Sequence, residues 1–159
     1  MSEVMNNIKT RRAVRKYKED MVPKEIIQQI VEAGTYAPTG RNMQSPIIIA
    51  VTNKEMRDRM SELNAKVAET SSDPFYGAPV VLVVLADKSK PCYQYDGTLV
   101  MGNLMLAAHA QGLGSCWIQV RERFTATGIP SGDFVHNVLD IPLQLQVLSI
   151  VAIGHKGME

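Results

Sequence analysis

The sequence predicts a mixed domain of the α/β or α+β class, and three observations carry that expectation. After a short N-terminal helix, signals follow in the order helix, strand, helix, strand, helix, strand, helix, strand. At 159 residues with 45% hydrophobic side chains, the chain is long enough to bury one real core. No internal repeat, low-complexity segment or linker marks a boundary, so residues 1–159 read as a single domain.

The elements follow from local pattern. Val4 to Ile8 reads as a short helix leading into a basic stretch. Pro23 with Lys24 and Glu25 starts a second helix, on which Ile26, Ile27, Ile30 and Val31 share one face and Gly34 suits the C-terminal stop. Tyr36 to Pro46 holds two prolines, a glycine and several side-chain amides and hydroxyls, which is loop chemistry. Ile47 to Val51 is almost wholly apolar, the pattern of a strand buried on both faces. Asn53 to Glu69 is a helix with Met56, Met60, Leu63 and Val67 at helical spacing, a core stripe rather than cofactor contacts. Thr70 to Pro79 is a second loop, and Val80 to Ala86 is the strongest central-strand signal in the chain. Lys88 to Tyr95 reads as a surface loop, with Asp96 as N-cap of a helix to about Ala110. That helix is apolar nearly all round, as expected when two layers of protein cover it; one small domain rarely does so, which points to a dimer. Gly112 to Val120 is a glycine-rich turn entering a strand. A short helix near Phe134 to Leu139 precedes a last strand, Val147 to Gly154.

Charge is distributed unevenly. The formal net charge is only +1, yet Lys9 to Lys18 packs six cationic side chains into ten residues. Val14 and Tyr17 interrupt that run, so it reads as part of a folded domain holding a local anion rather than as a solvated arm. Near-neutral composition argues against nucleic-acid binding. The longest uncharged run, Gly97 to Val120, is broken by Gly102, Asn103, His109, Gln111, Gly112 and Gly114, so no membrane span is expected. No secretory or myristoylation signal opens the chain, and two distant cysteines, Cys92 and Cys116, suit a reducing cytoplasm.

Catalytic signatures are sparse. There is no P-loop lysine motif and no nucleophile elbow, and Gly112-Leu-Gly114 lacks the third glycine of a dinucleotide fingerprint. His109, His136 and His155 share no metal-ligand spacing. Three polar clusters remain: the basic run, the Pro38 to Gln44 loop and the Gly112 to Gln119 turn. Taken singly, each reads equally well as a solvated face, a connector or a tight turn. Taken together, they suit a phosphorylated aromatic heterocycle, with guanidiniums for the phosphate, amides for the ring's polar edge and glycine for close backbone approach.

In order and spacing the clusters resemble the nitroreductase family of FMN-dependent oxidoreductases. Arg11-Arg12-Ala13-Val14-Arg15-Lys16-Tyr17 matches the family's opening RRSxRxF/Y, Ala37-Pro-Thr-Gly-Arg-Asn-Met-Gln44 its APSxxNxQ loop, and Ala78-Pro79 the approach to a valine-rich strand. Asn103 with Leu104 to Ala108, Gly112 to Ile118, Leu139-Asp-Ile-Pro142 and Ile153-Gly154 extend the likeness over nearly the whole chain.

The resemblance implies an α+β sandwich with a central, mostly antiparallel sheet flanked by helices, assembled as an intertwined homodimer with FMN at the subunit interface. It implies an NAD(P)H oxidoreductase that passes hydride through flavin N5 to a nitroaromatic, quinone or similar electron-poor small molecule; the alternative is a flavin-binding module without turnover. No protein nucleophile and no metal are implied. Arg11 and Arg12 match positions toward the FMN phosphate, and Arg15 the N1/O2 edge, where a guanidinium stabilises charge developed on reduction. Pro38, Thr39, Asn42 and Gln44 match the loop lining the flavin, usually from the other subunit. Ile118, Gln119 and Val120 match the segment against the ring, where a backbone N–H serves N5. Two departures imply weak FMN retention. Ala13 replaces a phosphate-binding hydroxyl, a loss of roughly 0.5–1.5 kcal/mol, and the basic tail of many relatives does not follow Ile153-Gly-His-Lys156, which leaves Lys156 or another arginine of the basic run as a substitute.

Overall fold

The apolar run around Val80 to Ala86 becomes the spine of a four-stranded sheet. In the computed structural model, which describes residues 1–158, the strands are β1 (Pro46–Val51), β2 (Val80–Asp87), β3 (Gly114–Gln119) and β4 (Leu145–Gly154). Their order is β1-β2-β4-β3, and every neighbouring pair is antiparallel. Side chains alternate across β2 and so seed two cores. Val81, Val83 and Leu85 face the layer of α3 (Lys54–Val67) and α5 (Ser131–Leu139), where Met60 and Val135 meet them. Val80, Leu82 and Val84 face α2 (Lys24–Thr35) and α4 (Tyr93–Ala110), meeting Ile27, Ile30, Met101 and Leu104. The outcome is the α+β sandwich that the resemblance implies. A first helix, α1 (Glu3–Thr10), leans on the far end of α4, where the Asn7 side-chain amide donates to the Leu106 carbonyl at 3.0 Å.

Several expectations change. Gly34 does not stop α2; it lies buried inside the helix, where a Cβ would come within 2.7 Å of Leu104 and 2.8 Å of Ile48. Its role is to let α2 approach α4 and β1. β1 is an edge strand rather than a doubly covered one, and Ile47 is 43% exposed in the isolated chain. α4 begins at Tyr93, so part of the expected loop is helix, and Asp96 is a buried first-turn residue rather than the N-cap, a position taken by Cys92. α5 starts at Ser131, three residues before Phe134, and Asp140 ends it in the left-handed region (φ 52°). In α3, Met60 and Val67 are buried but Met56 is exposed.

That helix also buries a cation that local pattern does not reveal. Arg57 Nε donates to the Ala78 carbonyl at 2.8 Å, its Nη2 pairs with Asp73, and its guanidinium lies 5.3 Å from the Phe75 ring centroid. Asp73 further accepts from Ser61 Oγ at 2.6 Å and from the Phe75 and Gly77 amides at 2.9 and 2.8 Å. Burial, the largest single influence, pushes the Asp73 carboxyl up, but these hydrogen bonds together hold it below the ordinary aspartate value.

The basic segment is extended and anchored. Its buried residues, Val14 and Tyr17, sit over a cross-strand pair of glycines, Gly114 and Gly154. A Cβ on Gly114 would lie 2.8 Å from Val14, and one on Gly154 would lie 3.0 Å from the Tyr17 ring. Backbone bonds secure the segment: Val14 N–H to the Ser115 carbonyl at 3.0 Å, Lys18 N–H to the His155 carbonyl at 3.0 Å, and Gly157 N–H to the Lys16 carbonyl at 2.8 Å. Replacing Gly114 by Ala overpacks this slot, and the expected loss of stability is about 1–3 kcal/mol. Denaturant unfolding measures it; an unchanged midpoint would contradict the close packing of Val14 on Gly114.

Candidate functional site

The anchored segment turns its charges outward. Because Val14 and Tyr17 point into the core, Arg12, Arg15, Lys16 and Lys18 are exposed and Arg11 half-buried. Among the described residues, no carboxylate lies within ion-pair distance of any of these five side chains. Arg12 is partly committed: its Nη1 donates to the Lys9 and Arg11 carbonyls at 2.8 and 2.9 Å, closing the C-terminal end of α1. Lys156 joins the group through the bridge that pairs it with Tyr17.

His109, in the last turn of α4, borders this cluster. The Thr10 hydroxyl donates to the Asn6 carbonyl at 2.7 Å, so the 2.9 Å contact between Thr10 Oγ1 and His109 Nε2 has the imidazole as donor. Burial lowers the His109 pKa, and the positive charges of Lys156, Arg11 and Arg12 lower it further. The imidazole therefore sits beside a convergent group of positive charges. The basic run also acts on Cys116, whose thiol is pushed up by burial and drawn partly back by Arg15 and Arg11.

The segment Ile118, Gln119 and Val120 shares this edge of the sheet. The Ser115 carbonyl faces outward to Val14, and strand alternation turns the N–H and C=O of Trp117 and Gln119 the same way. Beyond Ser115, no described strand pairs with that edge. Ile118 and Val120 bury their side chains in the α3/α5 core, and strand alternation turns their backbone groups away from this edge, the Ile118 carbonyl accepting from Ser149 Oγ at 3.2 Å, so of the three only Gln119 offers an outward N–H. The Gln119 side chain is occupied, accepting from Trp117 Nε1 and donating to the Arg121 carbonyl, both at 2.7 Å. The glycine of the preceding turn that permits close approach, Gly114, admits Val14 of the chain itself rather than leaving space for a ligand.

The third cluster lies elsewhere. Pro38, Asn42 and Gln44 are exposed and Thr39 half-buried in a loop with one 3-10 turn, Gly40–Asn42. Arg41, Asn42 and Gln44 all take left-handed backbone angles, at φ 53°, 55° and 50°. Such strain costs about 1–3 kcal/mol per residue and persists only where the surroundings over-determine it. Here Gln44 N–H donates to Thr39 Oγ1 at 3.0 Å, Gln44 Nε2 to Asn42 Oδ1 at 3.0 Å, and Gly40 N–H to the buried carboxylate of Asp96 at 2.9 Å. A small cavity of ≈190 Å³ opens beside Thr39 and Gln44.

Within one chain the clusters form two half-sites. Asp96, which latches the loop, and His109, which borders the basic run, are thirteen residues apart on α4, about 20 Å along the helix axis. The loop leads into β1 and the other half-site lines β3, on opposite edges of four strands, about 14 Å apart. Around α4, Tyr95 and Leu99 are exposed on the helix itself, as are Val4 and Ile8 of the adjacent α1.

A family model described as the nitroreductase family matches residues 8–75 and 65–155. The fold matches an FMN-dependent nitroreductase from Clostridium difficile R20291 with a TM-score of 0.89 and 32% identity, covering 98% of this chain and 88% of that one. An NADH dehydrogenase of Thermus thermophilus is 34% identical over 94% of this chain and 84% of its own length. An FMN reductase [NAD(P)H] of Bacillus subtilis is 27% identical over 99% of this chain and 67% of its own. An antiparallel sheet between two helical layers is thus a fold shared with an FMN-dependent nitroreductase. The chain belongs to the nitroreductase family.

His109 is expected to titrate below 6.5 in an NMR pH series, and Lys156→Ala to raise its pKa. A value at or above 6.5 in the unmodified protein would remove the convergent field.

Proposed function

We propose that the chain is an FMN-dependent oxidoreductase working as a homodimer, with NADH or NADPH as donor and a nitroaromatic, quinone or similar electron-poor small molecule as acceptor. The observation that carries this reading is the cationic edge, whose side chains have no ion-pair partner among the described residues and which adjoins outward backbone N–H groups on β3. That donor set fits FMN: fixed guanidiniums suit a phosphate, and main-chain donors suit the polar edge of a flat ring. When bound, FMN supplies two-electron chemistry, accepting hydride from the nicotinamide donor and passing it to the acceptor. The names of the Clostridium difficile and Bacillus subtilis relatives, FMN-dependent nitroreductase and FMN reductase, agree with this cofactor.

The residues divide the work. Arg11, with Lys156 and the free part of Arg12, binds the phosphate. Arg15 lies further along the segment, between the Val14 contact with β3 and the bridge from Tyr17 to Lys156, and serves the ring edge where negative charge collects. Gln119 offers its backbone N–H, held in register by the flanking burial of Ile118 and Val120. Pro38, Thr39, Asn42 and Gln44 come from a second copy, since one chain keeps them on the opposite sheet edge. A two-fold arrangement brings each loop to the other chain's basic edge and covers the exposed apolar residues of α1 and α4. Residues 1–159 act as one FMN-binding domain in the cytoplasm.

Adding FMN and then anaerobic NADH or NADPH is expected to bleach the flavin absorption. No flavin binding would sink the proposal, and bound flavin that neither donor reduces would leave a binding module without turnover. Arg11→Ala is expected to weaken FMN binding by about 1.5–3 kcal/mol, roughly 10- to 150-fold, as for a charged hydrogen bond. Arg12→Ala should cost less, because Nη1 already serves α1; an equal or larger loss would contradict that assignment. Arg15→Ala should slow flavin reduction as well as weaken binding, and an effect on affinity alone would refute its role at the ring.

A further inference from the structure

The three cations that act on His109, namely Lys156, Arg11 and Arg12, are the three residues proposed to hold the phosphate. Their common neighbour is a titratable ring in the last turn of α4, where the helix dipole favours a positive charge. Thr10 sets its tautomer: the imidazole donates through Nε2, which leaves Nδ1 as the basic nitrogen. Nδ1 has no hydrogen-bond partner among the described residues and is not buried, so it is open to solvent or to a ligand. Neutral His109 can therefore only accept at Nδ1. Once protonated, the same atom donates, and the ring joins the guanidiniums as a charged donor.

Given the reading of this edge as a phosphate site, we propose that His109 is a further member of the grip: a phosphate entering among Arg11, Arg12 and Lys156 draws one proton from solvent onto Nδ1, which then donates to a phosphate oxygen. The imidazolium adds a donor to a grip in which Ala13 supplies none. The elements packed on this turn bring no opposing charge to the ring. α1 carries Lys9 at this end and Glu3 at the far one, and Asn7 and Thr10 bind it to α4. The chain after β4 brings Lys156 and a second imidazole, His155. α2 meets this end of α4 through two neutral side chains, Gln29 and Gln111, at 2.7 Å. The charges that shift His109 are thus all positive, and against them alone the ring stays neutral near pH 7. A dianion lodged among them offsets their charge and favours the imidazolium. The added affinity is complete below the pKa of the free ring and is lost as pH rises through that of the phosphate-bound ring.

An NMR pH series on the full chain reads the proton directly, with the His109 signal identified by its loss in His109→Gln. Excess sulfate, a dianion that does not itself titrate near neutrality, is expected to raise the His109 pKa by about one unit over sodium chloride of equal ionic strength. FMN should raise it likewise, and riboflavin, which has no phosphate, should not. His109→Gln keeps a neutral donor for Thr10, so it should bind FMN up to about tenfold more weakly than the unmodified protein at about pH 6 and equally at about pH 8.5. Comparing the two proteins at each pH cancels the titration of the FMN phosphate itself. A merely structural ring would weaken FMN equally at both pH values and riboflavin with it, which would overturn the proposal. So would a His109 titration that neither anion moves; this measurement needs only the unmodified protein once the signal is known. FMN that binds without moving His109 overturns this inference alone, whereas sulfate that moves His109 in a chain that does not bind FMN supports it and sinks the flavin reading.

Discussion

The packing of Val14 and Tyr17 over the paired glycines of β3 and β4 is the contact on which the chemistry of this protein depends. Six cations in ten residues repel one another and would ordinarily stay solvated. Two apolar side chains, spaced by three along an extended segment, overcome that by filling a slot that only glycine leaves open. Burial raises the Tyr17 hydroxyl pKa, its neighbours Cys116 and Tyr76 add to this, and the hydroxyl donates to the Ala152 carbonyl at 3.3 Å. The core side of the segment is therefore neutral and dry. Its outer side is left as a row of cations without carboxylate partners among the described residues, which is the useful property.

The sheet then divides what the segment supplies from what the polar loop supplies. Both lie against α4, one at each end, and both border the sheet, one at each edge. A rigid helix and a hydrogen-bonded sheet cannot shorten these separations, so the two half-sites belong to different copies of the chain in the proposed assembly. The loop must then hold its shape without help from its own basic edge. Asp96 does this from within α4, fixing Gly40 and, through it, three residues in left-handed conformations.

Local pattern made the skeleton legible because it depends on side-chain period and turn chemistry. The central strand stood out because an unbroken apolar run needs cover on both faces, and β2 has it. The helices announced themselves through amphipathic spacing, and the order of the motifs identified the family. Val14 and Tyr17 were visible as apolar breaks in the charge run, although nothing in the run itself showed what they would touch. At the site, Arg11, Arg15 and Gln119 were legible as motif positions. His109 carried no spacing to mark it as a neighbour of that motif.

By itself, the sequence determined the element order, the identity of the buried central strand and the family, and it nominated the residues proposed to hold a flavin. Each of these is encoded within a window of a few residues or in the sequence of windows. Tertiary structure alone decided that β1 is an edge strand, that Gly34 and Gly114 serve close packing, that Asp96 is a latch and that Arg57 is a buried ion-pair partner. It also decided that the proposed site residues are split between two edges. These depend on contacts between residues far apart in the chain, whose geometry exists only once the sheet has set strand order and register.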